Sequence, residues 1–435
     1  MRLNLSSDRE QAHTLGRSEV WALAGLLFFL PLLEAPKNLL WLAFVLLWLG
    51  RAMFAHAGLG GGWQHGRDLP FALLQAASVL ACLLAPPFPR DWGEVANVLS
   101  YTTLGWLLAR SRMTDKQIFM TLAALLAGTL AAAAQGWWQW QIVGEKKLFE
   151  LHSVGHTNHS AIYLTMVGLG TLGALMALWP RLSAGWRFAL TLAWAGQSWL
   201  IATGESRGAM LAYIFGTTIL LFVLPPPRWR RQLLVFMAAL LAIILAWDSY
   251  LIDKTLNQMR APAVATTTSY RLELAQTALA TTRQHPFAGI GPGNFRLATA
   301  EQVATWLAAR HERYDPARYF HSNHAHNLYF NTLAERGLLG AAALLFLAWV
   351  WLRLLVSRSD TSSQNAHRTM LVWAVGMAGF VGVFVAGLFN TTLHHEHGSL
   401  AMFAFGLMMT QISTSRQVPP TLARRRMLGG CLGCS

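Results

Sequence analysis

The sequence predicts an all-α polytopic membrane protein with about twelve transmembrane helices. Of its 435 residues, 54% are hydrophobic and only 12% are charged, and long apolar runs recur from end to end. A bilayer core takes about 20 apolar residues per helix, and one globular core cannot hide so many such segments. Three cysteines exclude a secreted disulfide scaffold, and the hydrophobicity excludes intrinsic disorder.

Apolar segments long enough to cross a bilayer can be placed along the whole chain. Prolines lie between several of them, at Pro36, Pro180 and Pro225–Pro227, where they can end a helix. The first segment lacks a clear cleavage site, so we interpret it as a retained span. The predicted spans are 19–34, 38–56, 69–87, 94–109, 117–139, 161–180, 186–203, 207–225, 231–250, 326–352, 367–390 and 398–413.

Lysines and arginines predict the orientation, because short cytoplasmic loops carry an excess of basic residues. With the amino terminus in the cytoplasm, the predicted cytoplasmic segments hold 20 of the 34 Lys and Arg residues. The short external loops hold only five. This distribution predicts that both termini are cytoplasmic. It also explains the net charge of +14 without nucleic-acid binding.

The predicted spans divide the chain into five regions. These are a cytoplasmic tail (1–18), spans one to nine (19–250), a large external loop (251–325), spans ten to twelve (326–413) and a second cytoplasmic tail (414–435). The loop is expected to hold two amphipathic helices near the outer membrane surface, over a cavity. The segment 270–283 lacks Pro and Gly, and Thr299 with Gln302 forms a capping box for a second helix that stops before Asp315.

Histidines are concentrated on the external side, which holds 11 of the 15 in this topology. His321, His324 and His326 lie within six residues, a spacing that invites a metal interpretation. Zinc sites usually recruit a carboxylate or Cys as well, and no HExxH helix occurs. The alternative is that neutral His326 acts as a general base while Asn327 binds a polar substrate. Helix capping is the simpler role for these residues.

Arginines supply candidate anion-binding groups. Arg207 lies in a tight polar link between two apolar spans, where a charge needs a partner such as Glu205 or a function. Arg271 starts the first external helix, and Arg296 closes the glycine-rich segment 285–296. Guanidinium groups bind phosphates bidentately. The alternating glycines permit either a backbone nest for phosphate oxygens or an ordinary turn between helices.

These motifs carry a family resemblance. His326-Asn327, followed after nine residues by Gly337-Leu-Leu-Gly340, resembles the H-[N/S/Q]-x9-G-x-x-G signature of the O-antigen ligase family. The segment 206–208 resembles the SRG motif shared by O-antigen ligases and polymerases. Further positions resemble the pattern of that group: Arg271, 285–291 and 155–158.

The resemblance implies a glycosyltransferase-C-like enzyme of the Gram-negative inner membrane, surrounded by membrane lipids. It would transfer O-antigen from undecaprenyl diphosphate to lipid A–core on the periplasmic face. His326 would deprotonate the acceptor hydroxyl, which attacks the anomeric carbon with inversion. Arg207 and Arg271 would bind the diphosphate, with Arg296 a weaker candidate, and no metal, ATP or other cofactor is implied. Weaker candidates for contacts to the sugar are Asn327, His324, His321, Tyr270, His156 and Asn158.

Three alternatives stay open. An O-antigen polymerase or a protein O-oligosaccharyltransferase of the same group would use the same donor chemistry. A transporter would also fit twelve spans, although we find no internal repeat and the polar cluster lies at one face. The additional His321 and His324 keep a metal site open.

Overall fold

The computed structural model describes residues 13–54, 62–85, 87–204, 206–224, 231, 235, 270–357 and 366–415. Most of both predicted tails (1–12 and 416–435), most of the ninth span and the first part of the external loop (251–269) therefore lie outside the described residues. The predicted division of the chain into five regions stays a prediction.

The described part of the chain is mostly helical. Its helices are α1 (Arg17–Phe29), α2 (Glu34–Phe54), α3 (His65–Leu83), α4 (Trp92–Ala109), α5 (Asp115–Trp137), α6 (Thr157–Leu178), α7 (Ala184–Thr203), α8 (Arg207–Val223), α9 (Arg271–Gln284), α10 (Ala300–Ala308), α11 (Leu328–Val356), α12 (Ala366–Phe380) and α13 (His395–Ser415). Short parallel strands β1 (His13–Thr14) and β2 (Ser111–Arg112) pair with each other.

Five helices among the described residues are long and apolar enough to cross a membrane. They are Glu34–Phe54, Asp115–Val143, Thr157–Arg181, Leu328–Val356 and Ala366–Leu388. Several outward faces are apolar as well: Leu39 of α2 is 68% exposed and Phe188 of α7 is 71% exposed. Such surfaces are typical of contact with lipid. The membrane-protein class is confirmed in this coarser form, and the count of twelve spans stays a prediction.

Two predicted spans differ from the helices that the structure shows. The first, predicted over 19–34, ends at Phe29, because Pro31 cannot continue an α-helix and its carbonyl accepts a hydrogen bond from Ser153 N (3.2 Å). The eleventh, predicted as one helix over 367–390, ends its α-helical part at Phe380. A π-helical turn, Val381–Val385, and a 3₁₀ turn, Ala386–Leu388, follow.

The irregular end of the eleventh span is stabilised by side-chain hydroxyls. Thr392 Oγ1 donates to the carbonyl of Val383 (2.7 Å), and Tyr329 Oη donates to that of Phe384 (2.8 Å). Carbonyls released from a regular helix need such partners in an apolar bundle.

Contacts between loops form two groups, one at each end of the bundle. At the first, which we call the basic end, Arg51 pairs with Glu19 (3.0 Å) and Arg368 pairs with Asp115 (2.8 Å). The β1–β2 pair lies at the same end, since it joins the chain before α1 to the link between α4 and α5. All of these segments are predicted to lie on the cytoplasmic face.

At the opposite end, which we call the histidine end, Lys37 forms a buried ion pair with Glu396. His324 packs against His394, with ring centroids 5.8 Å apart. These residues come from loops that are predicted to be external. The contacts therefore agree with the predicted alternation of the loops, while the compartment at each end stays a prediction.

Helix α11 is interrupted at Gly337, which has φ +59° and ψ −156°. The segment 286–291 inserts into this interruption. Leu338 N donates to the carbonyl of Pro286 (2.8 Å), and Ile290 N donates to that of Ala334 (3.0 Å). Two further bonds, from Leu339 N to Phe287 O (3.1 Å) and from Gly291 N to Glu335 O (2.9 Å), complete the junction. The inserted loop thus replaces the i→i−4 bonds that the helix loses.

Replacing Gly337 by alanine is expected to destabilise the protein. A Cβ at this position would lie 2.7 Å from Ala288 N and still closer to the Phe287 carbonyl, in a backbone region that only glycine adopts freely. Backbone strain alone costs about 1–3 kcal/mol. Thermal unfolding in detergent should show a clearly lowered Tm for Gly337→Ala. Gly50→Ala on α2 is the matched control, because no heavy atom lies within 4 Å of its Cβ position. Equal Tm values for the two variants would contradict this account of the junction.

Candidate active site

A cluster of histidine side chains occupies the histidine end. The ring of His394 lies 4.9 Å from that of His159 and 5.8 Å from that of His324. His397 Nε2 lies 2.7 Å from the His159 carbonyl oxygen. The full cluster comprises His156, His159, His324, His326, His394, His395 and His397. Segments distant in the chain therefore converge here, as their common external assignment predicted.

His324 and His394, which lie between helices, are held in their neutral form. Burial lowers the pKa of His324, and the neighbouring His395 lowers it further, although Glu94 opposes the shift. Burial and the surrounding histidines also lower the pKa of His394 well below its ordinary value. Crowded, partly desolvated imidazoles cannot readily be charged together. At neutral pH this end of the bundle therefore offers proton acceptors.

His326, the predicted general base, lies just before the first turn of α11. Its backbone is in the left-handed region (φ +46°), which is unusual for a residue other than glycine. Burial lowers the pKa of His326, the nearby side chain of Asn390 opposes this, and His324 and Arg271 lower it further. The result is a neutral imidazole, which suits a proton acceptor.

Asn327, predicted to bind substrate, is the N-cap of α11. Its Oδ1 accepts hydrogen bonds from Tyr329 N (2.9 Å) and Phe330 N (3.0 Å). Its Nδ2 donates to the carbonyl of Leu388 (2.9 Å). Both ends of the amide are engaged, so capping explains the residue without a ligand.

Arg207 and Arg271 are brought together around Phe389. The guanidinium of Arg271 lies 5.6 Å from the centroid of the Phe389 ring. Gly208, next to Arg207, lies against the same ring, because a Cβ there would be 3.0 Å from Phe389 Cγ. Burial lowers the pKa of Arg271, and the like charge of Arg207 lowers it further. Two close cations at a partly buried position favour the binding of an anion between them.

The predicted alternative for Arg207, an ion pair with Glu205, falls on a residue outside the described part of the chain. The structure therefore leaves both interpretations of Arg207 open.

Arg296, the weaker phosphate candidate, has a protein partner. Its guanidinium lies 3.3 Å from Asp91 Oδ2, and Asp91 caps α4. The side chain of Arg296 is about half exposed. This pair joins the end of the glycine-rich segment to the link between α3 and α4, and Arg296 is not held against Phe389 as Arg271 is.

The glycine-rich segment packs against α11 at Glu335. Gly291 N donates to the Glu335 carbonyl (2.9 Å), and the buried side chain of Glu335 pairs with Arg336 (3.2 Å). Both interpretations of the segment, a nest for phosphate oxygens and an ordinary turn between helices, stay predictions.

The remaining predicted contacts have separate positions. Tyr270 stacks on Phe320 with ring centroids 3.9 Å apart. His156 caps α6, with its Nδ1 accepting from Asn158 N (3.2 Å). His321 is exposed. Of these residues, the structure places His156 and Asn158 beside the histidine cluster.

The metal interpretation of His321, His324 and His326 has no support in the described residues. Among them, no group of three His, Cys, Asp or Glu side chains is arranged to hold a metal ion.

Sequence reasoning missed Phe389 and Asn390 in the segment between α12 and α13. Phe389 contacts Arg271, and Asn390 lies near His326. His394 of the same segment, which the sequence assigned to the external side, belongs to the cluster. One signal was available: the segment 390–397 is a polar, histidine-rich run between two apolar spans. Its first residues were instead assigned to the end of the eleventh span.

Fold and site together define a helical membrane protein with a histidine- and arginine-lined site at one end of its bundle. Residues 188–345 match the model of the O-antigen ligase family, Wzy_C. The matched region runs from α7 into α11 and includes Arg207, Arg271 and His326. It confirms the family resemblance of the motifs. No curated protein was found to match the chain.

The capping role of Asn327 predicts a stability effect. Asn327→Ala removes both accepted bonds and the bond to Leu388, and loss of an N-cap alone costs about 1 kcal/mol. Asn327→Asp keeps the acceptor and is expected to retain most of the stability. In thermal unfolding in detergent, the parent should have the highest Tm, Asn327→Asp a lower Tm and Asn327→Ala the lowest. Unchanged stability in Asn327→Ala, with transfer activity lost, would instead indicate that the residue binds substrate.

Proposed function

We propose that the protein is an O-antigen ligase, which transfers O-antigen from undecaprenyl diphosphate to the lipid A–core acceptor. The enzyme family is supported by the matched domain. The observation that carries the specific reaction is the placement of Arg271 against Phe389, close to both Arg207 and His326. A paired cation next to a neutral base is what glycosyl transfer from a lipid diphosphate requires.

In this reaction each group has a defined task. His326 accepts the proton of the acceptor hydroxyl while the hydroxyl oxygen attacks the anomeric carbon of the donor sugar. The bond between that carbon and the diphosphate oxygen breaks, and the electron pair leaves on the diphosphate. Arg207 and Arg271 neutralise the charge that develops there. Attack opposite the leaving group inverts the anomeric configuration.

An apolar cavity supports a lipid-linked donor. It has a volume of about 70 Å³ and is lined by residues that include Met166, Val167 and Leu400. Tyr163 on α6 packs against His397 of the cluster, with ring centroids 6.4 Å apart. Met166 follows Tyr163 by three residues, and Leu400 follows His397 by three on α13, so the cavity begins about one helical turn inward of the histidine cluster. A short part of a polyprenyl chain would fit this apolar position, with the diphosphate at the polar end.

The proposed orientation of the enzyme in the membrane is based on the arginines of the basic end. If that end faces the cytoplasm, both termini are cytoplasmic and the site opens to the periplasm of a Gram-negative inner membrane. There both lipid-linked substrates are accessible from the outer leaflet. A transporter is less well supported, because the polar cluster lies at one end of the bundle, whereas transporter sites lie near the bilayer midplane.

A deletion strain should separate the ligase from its nearest alternative, the polymerase. We expect lipopolysaccharide with core only, together with accumulated lipid-linked polymer, because transfer to the core is the step lost. The measurement is a lipopolysaccharide gel of the deletion strain, with and without a plasmid copy of the gene. Core carrying a single repeat unit would identify a polymerase. An unchanged ladder would contradict both.

Replacing the general base should abolish transfer. His326→Ala is expected to lower the rate by a factor of about 10²–10⁴ in a reconstituted assay, because a positioned base contributes that much. The matched control is His311→Ala, which removes an exposed histidine from the external segment. Both variants should reach parental protein levels, and the parent should stay active in EDTA. Full activity of His326→Ala would rule out the assignment, and loss of parental activity in EDTA would revive the metal interpretation.

A further inference from the structure

Two exposed arginines that the proposed reaction does not use lie at the far end of α9 from Arg271. Arg283 is in the last turn of α9, about 18 Å along the helix axis from Arg271. Arg310 follows α10, and its Nη2 donates to the carbonyl of Arg283. Both arginines are exposed. The two cations therefore share one edge of the external helices.

Neither of these arginines has an acidic partner among the residues that the structure describes. Other basic residues at this end of the bundle do: Arg296 pairs with Asp91 (3.3 Å), and Arg336 pairs with Glu335 (3.2 Å). The bond to the Arg283 carbonyl satisfies a backbone group at a helix end, but it neutralises no charge. The two guanidinium groups therefore keep donors for an anion from outside the protein.

One edge of the hydrocarbon core lies at the level of these arginines. Arg336 is the last charged residue of α11 before the uncharged run 337–352, which is long enough to enter the core. The loop 286–291 directly follows α9 and docks at the start of this run, where Leu338 N donates to the Pro286 carbonyl (2.8 Å). The carboxyl end of α9 is therefore held at the level of the lipid headgroups.

Exposed apolar side chains accompany the arginines at this level. Phe287 is 73% exposed and Leu338 is 53% exposed. The loop also touches the end of α3, because a Cβ at Gly291 would lie 2.8 Å from Ala85 Cβ, and the neighbouring Leu84 is 60% exposed. Aromatic and basic side chains together are typical of the boundary between headgroups and acyl chains. We call the following residues the interfacial surface: Arg283, Phe287, Arg310 and Leu338.

We propose that the interfacial surface binds the phosphate-bearing headgroup of the lipid acceptor, lipid A–core, while the outer sugar of the same molecule reaches His326. This inference rests on the proposed function. The donor does not suit this position, because its phosphates adjoin the bond that breaks and belong beside Arg271. The acceptor carries its phosphates on the lipid part, away from the hydroxyl that reacts, so an anion site at a distance from the base suits it. Arginine–phosphate bonds and apolar contacts to acyl chains would then act on one molecule.

Removing the two charges should weaken acceptor binding selectively. In the double variant Arg283→Gln with Arg310→Gln, the KM for lipid A–core should rise about 10–30-fold, because each basic residue near an anionic lipid surface contributes about fivefold to affinity. The kcat and the KM for the donor should change little, since Arg271 and His326 are untouched. The corresponding double lysine variant keeps both charges and should recover most of the affinity. The measurement is kcat and both KM values for the full chain reconstituted in vesicles.

The matched control is Lys116→Gln with Arg181→Gln, which removes two exposed charges from the basic end. It should keep the parental KM values, and every variant should keep the parental Tm in detergent. Acceptor stripped of its lipid A phosphates tests the headgroup directly: its KM should be raised for the parent and should equal that of intact acceptor for the double glutamine variant. An unchanged KM for intact acceptor in that variant, or an equal rise for both acceptors, overturns the proposal.

Two further measurements identify the occupant and separate this inference from the proposed function. If the KM difference disappears in vesicles of phosphatidylcholine alone, the surface binds bulk anionic phospholipid and the proposal fails. Binding of lipid A alone to the solubilised protein is measured without donor. If the parent binds lipid A more tightly than the double glutamine variant but transfers nothing, the proposed function fails and the headgroup site stands. If the parent transfers O-antigen and both proteins bind lipid A equally, only the headgroup site fails.

Discussion

The interruption of α11 at Gly337 is the constraint on which the site depends. A helix that breaks inside an apolar bundle leaves backbone groups without partners, and each would cost several kcal/mol if it stayed unsatisfied. Here the loop 286–291 supplies four hydrogen bonds across the interruption. Because that loop directly follows α9, the same bonds dock the external helix that carries Arg271 onto the helix that His326 precedes. Gly337 thus affects the site indirectly, because the hydrogen bonds that bridge the interruption also hold α9 beside α11.

A second consequence follows from where the charges lie. The buried carboxylate of Glu335 pairs with Arg336, Asp91 pairs with Arg296, and Glu396 pairs with Lys37. These anions stabilise the surroundings of the site. At Phe389, by contrast, Arg271 lies close to Arg207, and burial together with this like charge lowers the pKa of Arg271. An incoming diphosphate would relieve that repulsion, which links the electrostatics of the free protein to the binding of its proposed donor.

Much of the site could be predicted from the sequence, but not its supporting contacts. His326 and Arg207 lie in short motifs, and Arg271 begins a segment of strong helix propensity, so local pattern was sufficient to select them. Asn390 and Phe389 could not be selected in this way, because they follow an apolar run that predicts only a longer helix. The glycine segment was recognised as able to form a nest, yet the pattern does not say which oxygens fill it. The tenth span was predicted to begin at residue 326, whereas the helix begins at Leu328 and Asn327 caps it.

By itself the sequence determined the membrane-protein class and the motifs that resemble the O-antigen ligase family. These properties depend on hydrophobicity, charge and short motifs, which are local and can be read along the chain. The tertiary structure decided which groups meet: Asn327 with Leu388, Arg271 with Phe389, and the glycine-rich segment with the interruption of α11. Those pairings join segments far apart in the chain, and they arise because a helical bundle must satisfy its broken backbone and its buried charges from whatever segment packs beside them.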